Sequence, residues 1–565
     1  MTAPTNVVSK ALRLGRTLRY VPLEAIKWRL LARAKRFYYA SPLYGLQDLM
    51  PDDAGEPHWV GVELFGGDPA AGTAMAKGQF TFAGITLPLA TGADGSLRTW
   101  LPTQASALWV FHLHYHEWLA DLRAAGQRAV ARQLVADWLL SFGRYHPVAW
   151  HPYPTSLRVV AWLTHGHWLL DGADDDLRQA FYACLYRQAA YVMANPELDL
   201  GGNHLLKNLK AMIYGGLALE QADMYAQGMA GLLRQLPVQI LPDGMHYELS
   251  PLYAAQVLRD LLEIRAVLRN AGGAPKPVEE AVRKLGTALG MFVHGDGGLA
   301  LFNDADVLDA PYVAQLLRQS GADDAPEILP DAGYARLSRG GMSAWFDAGK
   351  VGPDENPGHA HADMLSFELD IGRERVVVNG GTYAYQHALR NTFRATASHS
   401  TVSLEGVDSA EVWGGFRVGR RPREVELVLQ GGAEPLPGGD IWVEGSHDGY
   451  AYVGAQHRRK LVMAADGSRM RGEDEITFRK PSRRVRAHFH IHPDVNVRLV
   501  SDSEAELETA AGVRIAVKVD GGRLDVRDSR YAPHFGVMKP CRQLLVHGRA
   551  QGGVCRLGWA FERIG

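Results

Sequence analysis

The sequence predicts an α+β protein with more than one domain, helical in its first half and built of antiparallel strands in its second half. Three observations support this prediction. The 565 residues exceed what a single hydrophobic core normally organises. Apolar residues recur at helical spacing from about residue 104 to 320, and they alternate with polar residues, as in strands, after about residue 335.

Residues 1–103 are predicted to be an N-terminal lead-in. Its first 40 residues are basic and helical in pattern, without the apolar stretch and cleavage site of a signal peptide. We expect these helices to cap the next domain, with contact to a membrane surface as the alternative. The fragments "HWVGVELFGG" and "GQFTFAGITL" predict a small β element. No apolar run reaches the roughly 18 residues of a membrane span, and the cytoplasm is favoured over the periplasm.

Residues 104–325 are predicted to form a helical domain. Amphipathic segments such as "AVARQLVADWLLSFG" and "DLRQAFYACLYRQAAYVMA" are separated by short loop sequences that contain Gly, Pro and Asp. Short loops favour antiparallel helical hairpins, which either stack as a solenoid or close into a ring. A Pro, Asp and Gly-rich passage at 318–333 ends the domain. Runs such as "GRERVVVNGGTY" then predict an antiparallel β-sandwich over residues 326–565.

Composition excludes some classes of function. With 47% hydrophobic and 22% charged residues, the chain is an ordinary globular protein. A net charge of −2 gives no global electrostatic reason to expect a nucleic-acid partner. Three scattered cysteines, Cys184, Cys541 and Cys555, indicate neither a disulfide framework nor a Cys-rich metal site.

The first segment that could carry chemistry is "NPELDLGGNHLLKNLKAMIYGG", residues 195–216. Asn203 and His204 follow a double glycine and open a predicted helix, where backbone donors and the helix dipole favour an anion. Asn208 lies on the next turn. The alternative is structural, with Asn203 as an N-cap and His204 as a hydrogen-bonded residue between helices.

Two further segments combine aromatic and polar residues. "LPDGMHYELSPLY", residues 241–253, carries Tyr247, Glu248 and Tyr253. The phenols of the two tyrosines either pack at the rim of a core or exchange protons in a cleft. "YHPVAWHPYPTSLRVVAWLTHGHWLL", residues 145–170, carries Trp150 and Arg158. Its aromatic rings either belong to the core or contact sugar rings, with the guanidinium binding a carboxylate.

The fourth segment is "NPGHAHADMLSFELDIG", residues 356–372, which places His359, His361 and Asp363 at alternate positions before a predicted strand. On a strand these side chains would share one face. They could then hold a metal, or form a general base with its orienting partner. With 22 histidines in the chain, some clustering by chance is also expected.

The order of these segments is more informative than any one of them. A Gly-Asn-His loop, "PDGMHYELSPLY", "HAHADMLSFEL", "GGTYAY" and "SHSTV" follow one another as in the bacterial heparinase II/III-like polysaccharide lyases, which this chain resembles from about residue 104 to 500. The resemblance implies an incomplete (α/α) helical toroid followed by an antiparallel β-sandwich. It also implies β-elimination on an anionic polysaccharide such as a glycosaminoglycan, an alginate-like polymer or a bacterial exopolysaccharide, leaving a 4,5-unsaturated uronide.

The resemblance assigns a role to each segment. Asn203 and His204 would contact the uronate carboxylate. Tyr253 would be the acid, and also the base when the two departing groups lie syn, with Tyr247 as the fallback. His359 would be the base for substrates of the opposite C5 configuration. The set expected to bind the polymer is Arg158, Trp150, His151, Asn208, Glu248 and Arg394.

The resemblance also implies a structural divalent metal, most simply zinc, and no organic cofactor. The corresponding ligands are His361, Asn379 and His399. An amide oxygen is a poorer zinc ligand than a carboxylate, so Asp363 is a candidate substitute for Asn379. For His359 to face a cleft while His361 faces the sandwich, the backbone must bend after the Pro-Gly turn.

Two other functions stay open from the sequence. A glycoside hydrolase needs two carboxylates flanking the bond, and Glu197, Asp199 and Glu248 form no obvious pair. A non-catalytic glycan-binding protein of an envelope polysaccharide pathway is the third alternative.

Overall fold

The computed structural model describes residues 7–41, 44, 54–89, 97, 99–429, 438–479 and 483–564. The chain divides into two compact units. The helical unit comprises Pro22–Val238 and Arg259–Ala281, and the sandwich unit comprises Met1–Val21, Gln239–Leu258 and Val282–Gly565. The domain boundaries predicted at residues 103 and 325 stay a prediction.

The helical unit is organised around a core rich in tryptophan. Trp109, Trp138 and Trp162 are fully buried, and the Trp162 ring stacks on Phe181 with centroids 4.2 Å apart. The helices that build this unit are α2 (Leu23–Tyr39), α3 (Pro69–Ala76), α4 (Ala107–Tyr115), α5 (Leu119–Ala124), α6 (Arg128–Phe142), α7 (Pro152–Leu170), α8 (Asp175–Ala194), α9 (Gly202–Ala218) and α10 (Ala222–Gln239). A hairpin of β1 (Gln79–Phe82) and β2 (Ile85–Pro88) precedes α4.

Local sequence signals explain several helix ends. The Ser106 hydroxyl accepts the N–H of Trp109 and begins α4, and the Asp174 carboxylate accepts the N–H of Leu177 and begins α8. His116 adopts a left-handed conformation with φ of 59° and separates α4 from α5. The stretch from Ala107 to Ala124 is therefore two helices. Helices α11 (Pro251–Asn270) and α12 (Lys276–Gly290) each contain residues of both units.

The sandwich unit begins with α1 (Val7–Leu18) and contains two antiparallel sheets. Among the described residues, one sheet has eight strands and the other nine. Phe367 and Phe489 of the nine-stranded sheet pack against Trp559 and Phe561 of the other, with Phe367 stacked on Trp559 at 5.0 Å. The predicted antiparallel sandwich is confirmed.

The bounds of these strands are as follows. The eight-stranded sheet runs in the order β11 (Val425–Leu429), β12 (Ile441–His447), β13 (Ala455–Met463), β14 (Arg469–Phe478), β21 (Val554–Arg563), β18 (Arg514–Asp520), β17 (Glu504–Glu508) and β16 (Asn496–Leu499). The nine-stranded sheet runs in the order β19 (Gly522–His534), β20 (Val537–Gly548), β15 (Val485–Ile491), β7 (Glu374–Val378), β6 (Phe367–Ile371), β5 (Met342–Asp347), β4 (Tyr334–Arg339) and β3 (Ile328–Leu329), with β8 (Val402–Leu404) on β15. Outside the sheets lie the pair β9 (Val412–Trp413) and β10 (Arg417–Val418), and the helices α13 (Ala310–Ser320) and α14 (Arg390–Arg394).

Two stretches differ from the predicted strands. Residues 359–366 are irregular, because β6 begins only at Phe367 and Leu365 has a positive φ of 58°. The "HWVGVELFGG" fragment is also irregular, whereas "GQFTFAGITL" forms the predicted β1–β2 hairpin. Over the stretches that the structure describes, no helix combines the length and hydropathy needed to cross a bilayer.

Candidate active site

A phenol and an imidazole stack against each other in the sandwich unit. Tyr253 lies in the first turn of α11, and its ring packs on the His359 ring with centroids 3.7 Å apart and an interplanar angle of 26°. The Tyr253 Oη is 2.8 Å from the Tyr385 Oη. Burial raises the pKa of both phenols well above the ordinary value, so both hydroxyls carry their protons. Glu248 Oε2 lies 3.6 Å from His359 Nε2.

The Asp304 carboxylate orients the histidine. Its Oδ2 lies 2.9 Å from His359 Nδ1, and its Oδ1 lies 2.9 Å from His361 Nε2. Arg390 donates to both oxygens, and Thr382 Oγ1 donates to Oδ1. Burial alone would raise the pKa of Asp304, but Arg390 and the two histidines outweigh burial and hold that pKa well below its usual range. A carboxylate only accepts, so His359 carries its proton on Nδ1 and exposes a lone pair on Nε2.

The two histidines of the "HAHAD" run therefore contact the same carboxylate. The irregular backbone of residues 359–363 lets His359 and His361 approach Asp304 from different sides, which a regular strand would not allow. His361 is fully buried, whereas His359 keeps part of its side chain exposed. The bend that the sequence required is present.

The residues present fit a bound cation. His361 Nε2 donates to Asp304, and His399 Nδ1 donates to the carbonyl of Ala395, so the remaining nitrogen of each neutral ring has a lone pair. These two nitrogens, His361 Nδ1 and His399 Nε2, are 3.0 Å apart. Burial lowers the pKa of His361 to about 4 and that of His399 to about 3, so neither ring carries a charge near neutral pH. A metal ion between them would satisfy both lone pairs.

Asp363 completes the candidate metal centre. Ligand atoms of His361, Asp363 and His399 all lie within 4.8 Å of one another, and the three residues are buried. Asn379, the ligand expected from the resemblance, instead accepts the N–H of Ser400 at 2.9 Å. Carboxylate and imidazole form a common zinc-binding set. The structure therefore favours Asp363 over Asn379 as the third ligand.

A second cluster lies in the helical unit, where α9 begins. Gly201, with φ of 64°, precedes the helix and is its N-cap, so Asn203 is not the cap. His204 Nδ1 lies 3.1 Å from Glu197 Oε1, and Asn208 Nδ2 donates to Glu197 Oε2 at 3.1 Å. The buried Oδ1 of Asn203 has no hydrogen-bond partner among the described residues. Asn203 thus keeps a polar atom available for a ligand.

His151 lies beside this second cluster. Its Nδ1 is 3.9 Å from Glu197 Oε1. It lines a cavity of about 310 Å³, which Glu197, Asp199 and residues of α2 also line. His151 therefore has access to a ligand.

Trp150 and Arg158 are at odds with their predicted contact to the polymer. Arg158 is fully buried, with Nε donating to Gln188 at 2.6 Å and Nη1 donating to the carbonyl of His114 at 2.7 Å. Trp150 is also buried, and its Nε1 donates to the carbonyl of Phe142. Because their polar groups already donate to other residues of the helical unit, these two buried side chains stabilise the helical core.

Arg394 is likewise a structural residue. It is fully buried, and its guanidinium donates to the carbonyls of Ala360 and Gly415. Burial lowers its pKa to about 9. Arg390, one turn earlier in α14, is the arginine that contacts Asp304.

Tyr247, the fallback acid, places its ring edge-on against His246.

Comparison with known proteins identifies the family. The model of the heparinase II/III N-terminus matches residues 99–320, and the model of the heparinase II/III-like C-terminal domain matches residues 323–560. The chain belongs to the heparinase II/III-like family. It shows the fold of a solved heparinase III, with a TM-score of 0.72 and 16% identity over 97% of this chain and 93% of that chain. The predicted toroid-plus-sandwich fold class is thereby confirmed.

Two relatives of this chain differ from each other in name and in the length over which they match it. The FtsZ-localized protein C of Caulobacter vibrioides is 26% identical over 88% of each chain. The heparin-sulfate lyase of Pedobacter heparinus is 24% identical over 40% of this chain and 39% of the relative. A solved heparan sulfate lyase from Pedobacter heparinus has a TM-score of 0.58 with 17% identity, and it covers 87% of this chain and 82% of its own.

Sequence reasoning missed three residues of the site. Asp304 follows the buried stretch 299–302 in "LFNDADVLD", and no local pattern marks it as a site residue. Tyr385 ends the "GGTYAY" motif that supports the family resemblance, and Arg390 lies four residues before the predicted Arg394. The motif and the neighbouring arginine are local signals for these two residues.

Proposed function

We propose that this heparinase II/III-like protein is a polysaccharide lyase that cleaves uronate-containing glycans by β-elimination. The observation that supports it most directly is the Tyr253–His359 stack, with His359 oriented by Asp304. A buried phenol and an oriented imidazole supply the acid and the base that elimination requires.

In the proposed reaction a base removes the proton on C5 of the uronate. The electron pair of that C–H bond forms the C4–C5 double bond, and the bond from C4 to its glycosidic oxygen breaks. An acid gives a proton to the departing oxygen. The product is a 4,5-unsaturated uronide and a free hydroxyl on the other fragment.

Tyr253 is suited to the acid role. Its raised pKa keeps the phenol protonated before reaction, and Tyr385 supports the same hydroxyl at 2.8 Å. If the two departing groups lie syn, Tyr253 can serve both roles by giving its proton to the departing oxygen as its own oxygen takes the C5 proton, so that the phenol ends neutral as it began.

His359 is suited to the base role for the opposite C5 configuration. The ionised Asp304 fixes the Nδ1–H tautomer, which leaves Nε2 as the basic nitrogen. Glu248, 3.6 Å from Nε2, is proposed to contact the substrate beside this base.

Asn203 and His204 are proposed to bind the uronate carboxylate. The unpartnered Oδ1 of Asn203 can accept a hydrogen bond from a protonated carboxyl, and neutralising that carboxyl makes C5–H more acidic. Glu197 orients His204 and Asn208. The metal proposed at His361, Asp363 and His399 would be structural and would tie the loop of residues 359–363 to His399.

Hydrolysis has less support. Asp304 accepts from Arg390, His359, His361 and Thr382, and both oxygens of Glu197 are hydrogen-bonded. A glycosidase needs one protonated carboxyl and one carboxylate facing the same bond. Of the acidic residues that the sequence suggested, Glu248 lies beside the Tyr253–His359 pair, and the sandwich unit offers no second one of them as its partner.

The test is incubation with a panel of uronate polymers while the ultraviolet absorbance of the unsaturated product is followed. We expect Tyr253→Phe to lower turnover on the order of 10²–10⁴-fold, with Tyr225→Phe in the helical unit as the matched control. His359→Ala should reduce turnover of one C5 epimer more than the other. Full activity of Tyr253→Phe would remove this residue from the reaction, and new reducing ends without the chromophore would indicate hydrolysis.

A second candidate function follows from the relative named FtsZ-localized protein C, whose similarity extends over 88% of both chains. We propose that this protein also localises with FtsZ. Co-sedimentation with FtsZ polymers tests this role independently of any lyase activity, since Tyr253→Phe should leave co-sedimentation unchanged.

A further inference from the structure

Helix α2 has apolar side chains on the face that points to solvent. Leu23, Ile26, Leu30 and Phe37 are three, four and seven residues apart, so they lie on one side of the helix. Leu23 is 84% exposed, Leu30 65% and Phe37 70%. A surface helix normally turns its polar side outward. On α2 the residues Leu23, Ile26, Leu30 and Phe37 form an apolar stripe that faces outward instead.

The other side of α2 packs on the helical unit. The Tyr39 ring lies 5.4 Å from that of Tyr145 and 5.1 Å from that of Tyr191, and Asn195 Nδ2 donates to the Tyr39 hydroxyl. Trp28 and Ala32, on the same side as Tyr39, are only half-buried. The helix is therefore held in place by one face while its apolar stripe stays open.

Helix α1 of the sandwich unit shows the same arrangement. Thr17 Oγ1 accepts the Nε1–H of Trp413, and Arg16 makes a bidentate ion pair with Glu411. Leu14 and Leu18, one turn apart on another face, are 41% and 47% exposed. Both N-terminal helices thus present leucines to solvent.

The residues around these leucines are strongly basic. Residues 7–41 contain nine Lys or Arg residues and a single acidic residue, Glu24, in a chain whose net charge is −2. The basic residues are Lys10, Arg13, Arg16, Arg19, Lys27, Arg29, Arg33, Lys35 and Arg36. Apolar and cationic side chains on one exposed helix are the pattern of helices that lie in the interface of an anionic bilayer.

A cavity beside α1 adds a place for an anionic group. Its volume is about 350 Å³, and Arg16, Arg19, Arg420, Arg421 and Arg423 line it together with Tyr20 and Tyr452. Asp448, its acidic lining residue, accepts the backbone N–H groups of Arg423 and Glu424. Arg16 pairs with Glu411 and Arg421 with Asp354, so the five arginines face three carboxylates and the cavity keeps a net positive charge. A lipid phosphate has the charge and the hydrogen-bond acceptors that guanidinium groups bind.

We propose that α2 in the helical unit and α1 in the sandwich unit each bind the surface of an anionic lipid bilayer, with the exposed leucines and Phe37 inserted among the lipid chains and the basic residues at the headgroups. A second copy of the chain would cover the apolar stripe but bring two basic surfaces together, which costs several kcal/mol. A polyanionic glycan would bind the cations but leave the leucines in water. An anionic bilayer satisfies both sets of side chains.

Vesicle co-sedimentation of the full chain tests the proposal. Vesicles of phosphatidylcholine with phosphatidylglycerol should bind the protein, and vesicles of phosphatidylcholine alone should bind it far less. The triple variant Leu23→Gln, Leu30→Gln, Phe37→Gln should weaken binding at least tenfold. Lys27→Gln, Arg29→Gln and Arg33→Gln together should weaken it on the order of 100-fold.

The matched control combines Leu140→Gln, Leu233→Gln and Val238→Gln, three exposed apolar residues on α6 and α10. This variant should bind vesicles like the wild type. Equal binding by the apolar α2 variant and the wild type would overturn the proposal. So would a wild-type dimer in light scattering that the apolar α2 variant converts to a monomer without losing vesicle binding.

Discussion

Replacing Asp304 with Asn isolates the effect of one negative charge on the site. The side chains have nearly the same shape, so the substitution changes charge and one acceptor atom but not packing. Asp304 receives hydrogen bonds from Arg390, His359, His361 and Thr382. An amide has one oxygen and cannot accept all of them.

The expected loss of stability follows from burial. Asp304 and Arg390 are almost completely buried, and removing one partner of such a pair costs about 3–5 kcal/mol. His359 would also lose the partner that fixes its tautomer. We therefore expect a lower free energy of unfolding and a large drop in turnover of the uronate polymer.

Chemical unfolding and turnover should be measured on the same preparation. Asp354→Asn is the matched control, since Asp354 pairs with Arg421 at 2.9 Å but is 66% exposed. Exposed pairs contribute about 0–1 kcal/mol. If Asp304→Asn lost no more stability than Asp354→Asn and kept full turnover, the orienting role of Asp304 would be refuted.

Three further predictions concern the metal centre and the helical unit. Added zinc should raise the Tm of the wild type but not that of His399→Ala. Equal Tm shifts in the two proteins would mean that zinc binds outside the site of His361, Asp363 and His399. Lys210 and Arg259 lower the pKa of Glu263 from 4.5 to about 2 against the effect of burial, so this carboxylate stabilises the fold above pH 4.5 and the stabilisation is lost as pH falls toward 2. The loss amounts to roughly 3 kcal/mol, and Glu263→Gln should flatten the Tm-against-pH curve in that range. Arg158→Met should lower the Tm without changing KM, and a raised KM would restore its predicted contact with the polymer.

The fold could be predicted where the hydrophobic pattern is long and regular. The segment at 128–142 is α6 and the segment at 175–194 is α8, because each shows helical spacing over several turns and ends at Gly or Asn. The β-sandwich followed from alternating β-branched runs. Conversely, the pattern of "HAHAD" suggested a strand that the irregular backbone around Leu365 does not form.

The site was only partly predictable, because burial and long-range contacts do not follow from spacing. Arg158 lies among aromatic residues whether they form a core or a cleft, and the structure places it in the core. Asp304 comes from a loop 55 residues away from His359 in sequence. Local sequence carries no sign of that contact, whereas the family order of motifs did indicate Tyr253 and His359.

The most direct test of the proposed lyase activity is a structural analysis of the products by NMR after digestion of a uronate polymer. Elimination predicts one C4–C5 double bond at the non-reducing end for every linkage cleaved by the wild type, and on the order of 10²–10⁴-fold fewer with Tyr253→Phe. Cleaved fragments with saturated uronates at their new ends, or undiminished double-bond formation by Tyr253→Phe, would contradict the proposal.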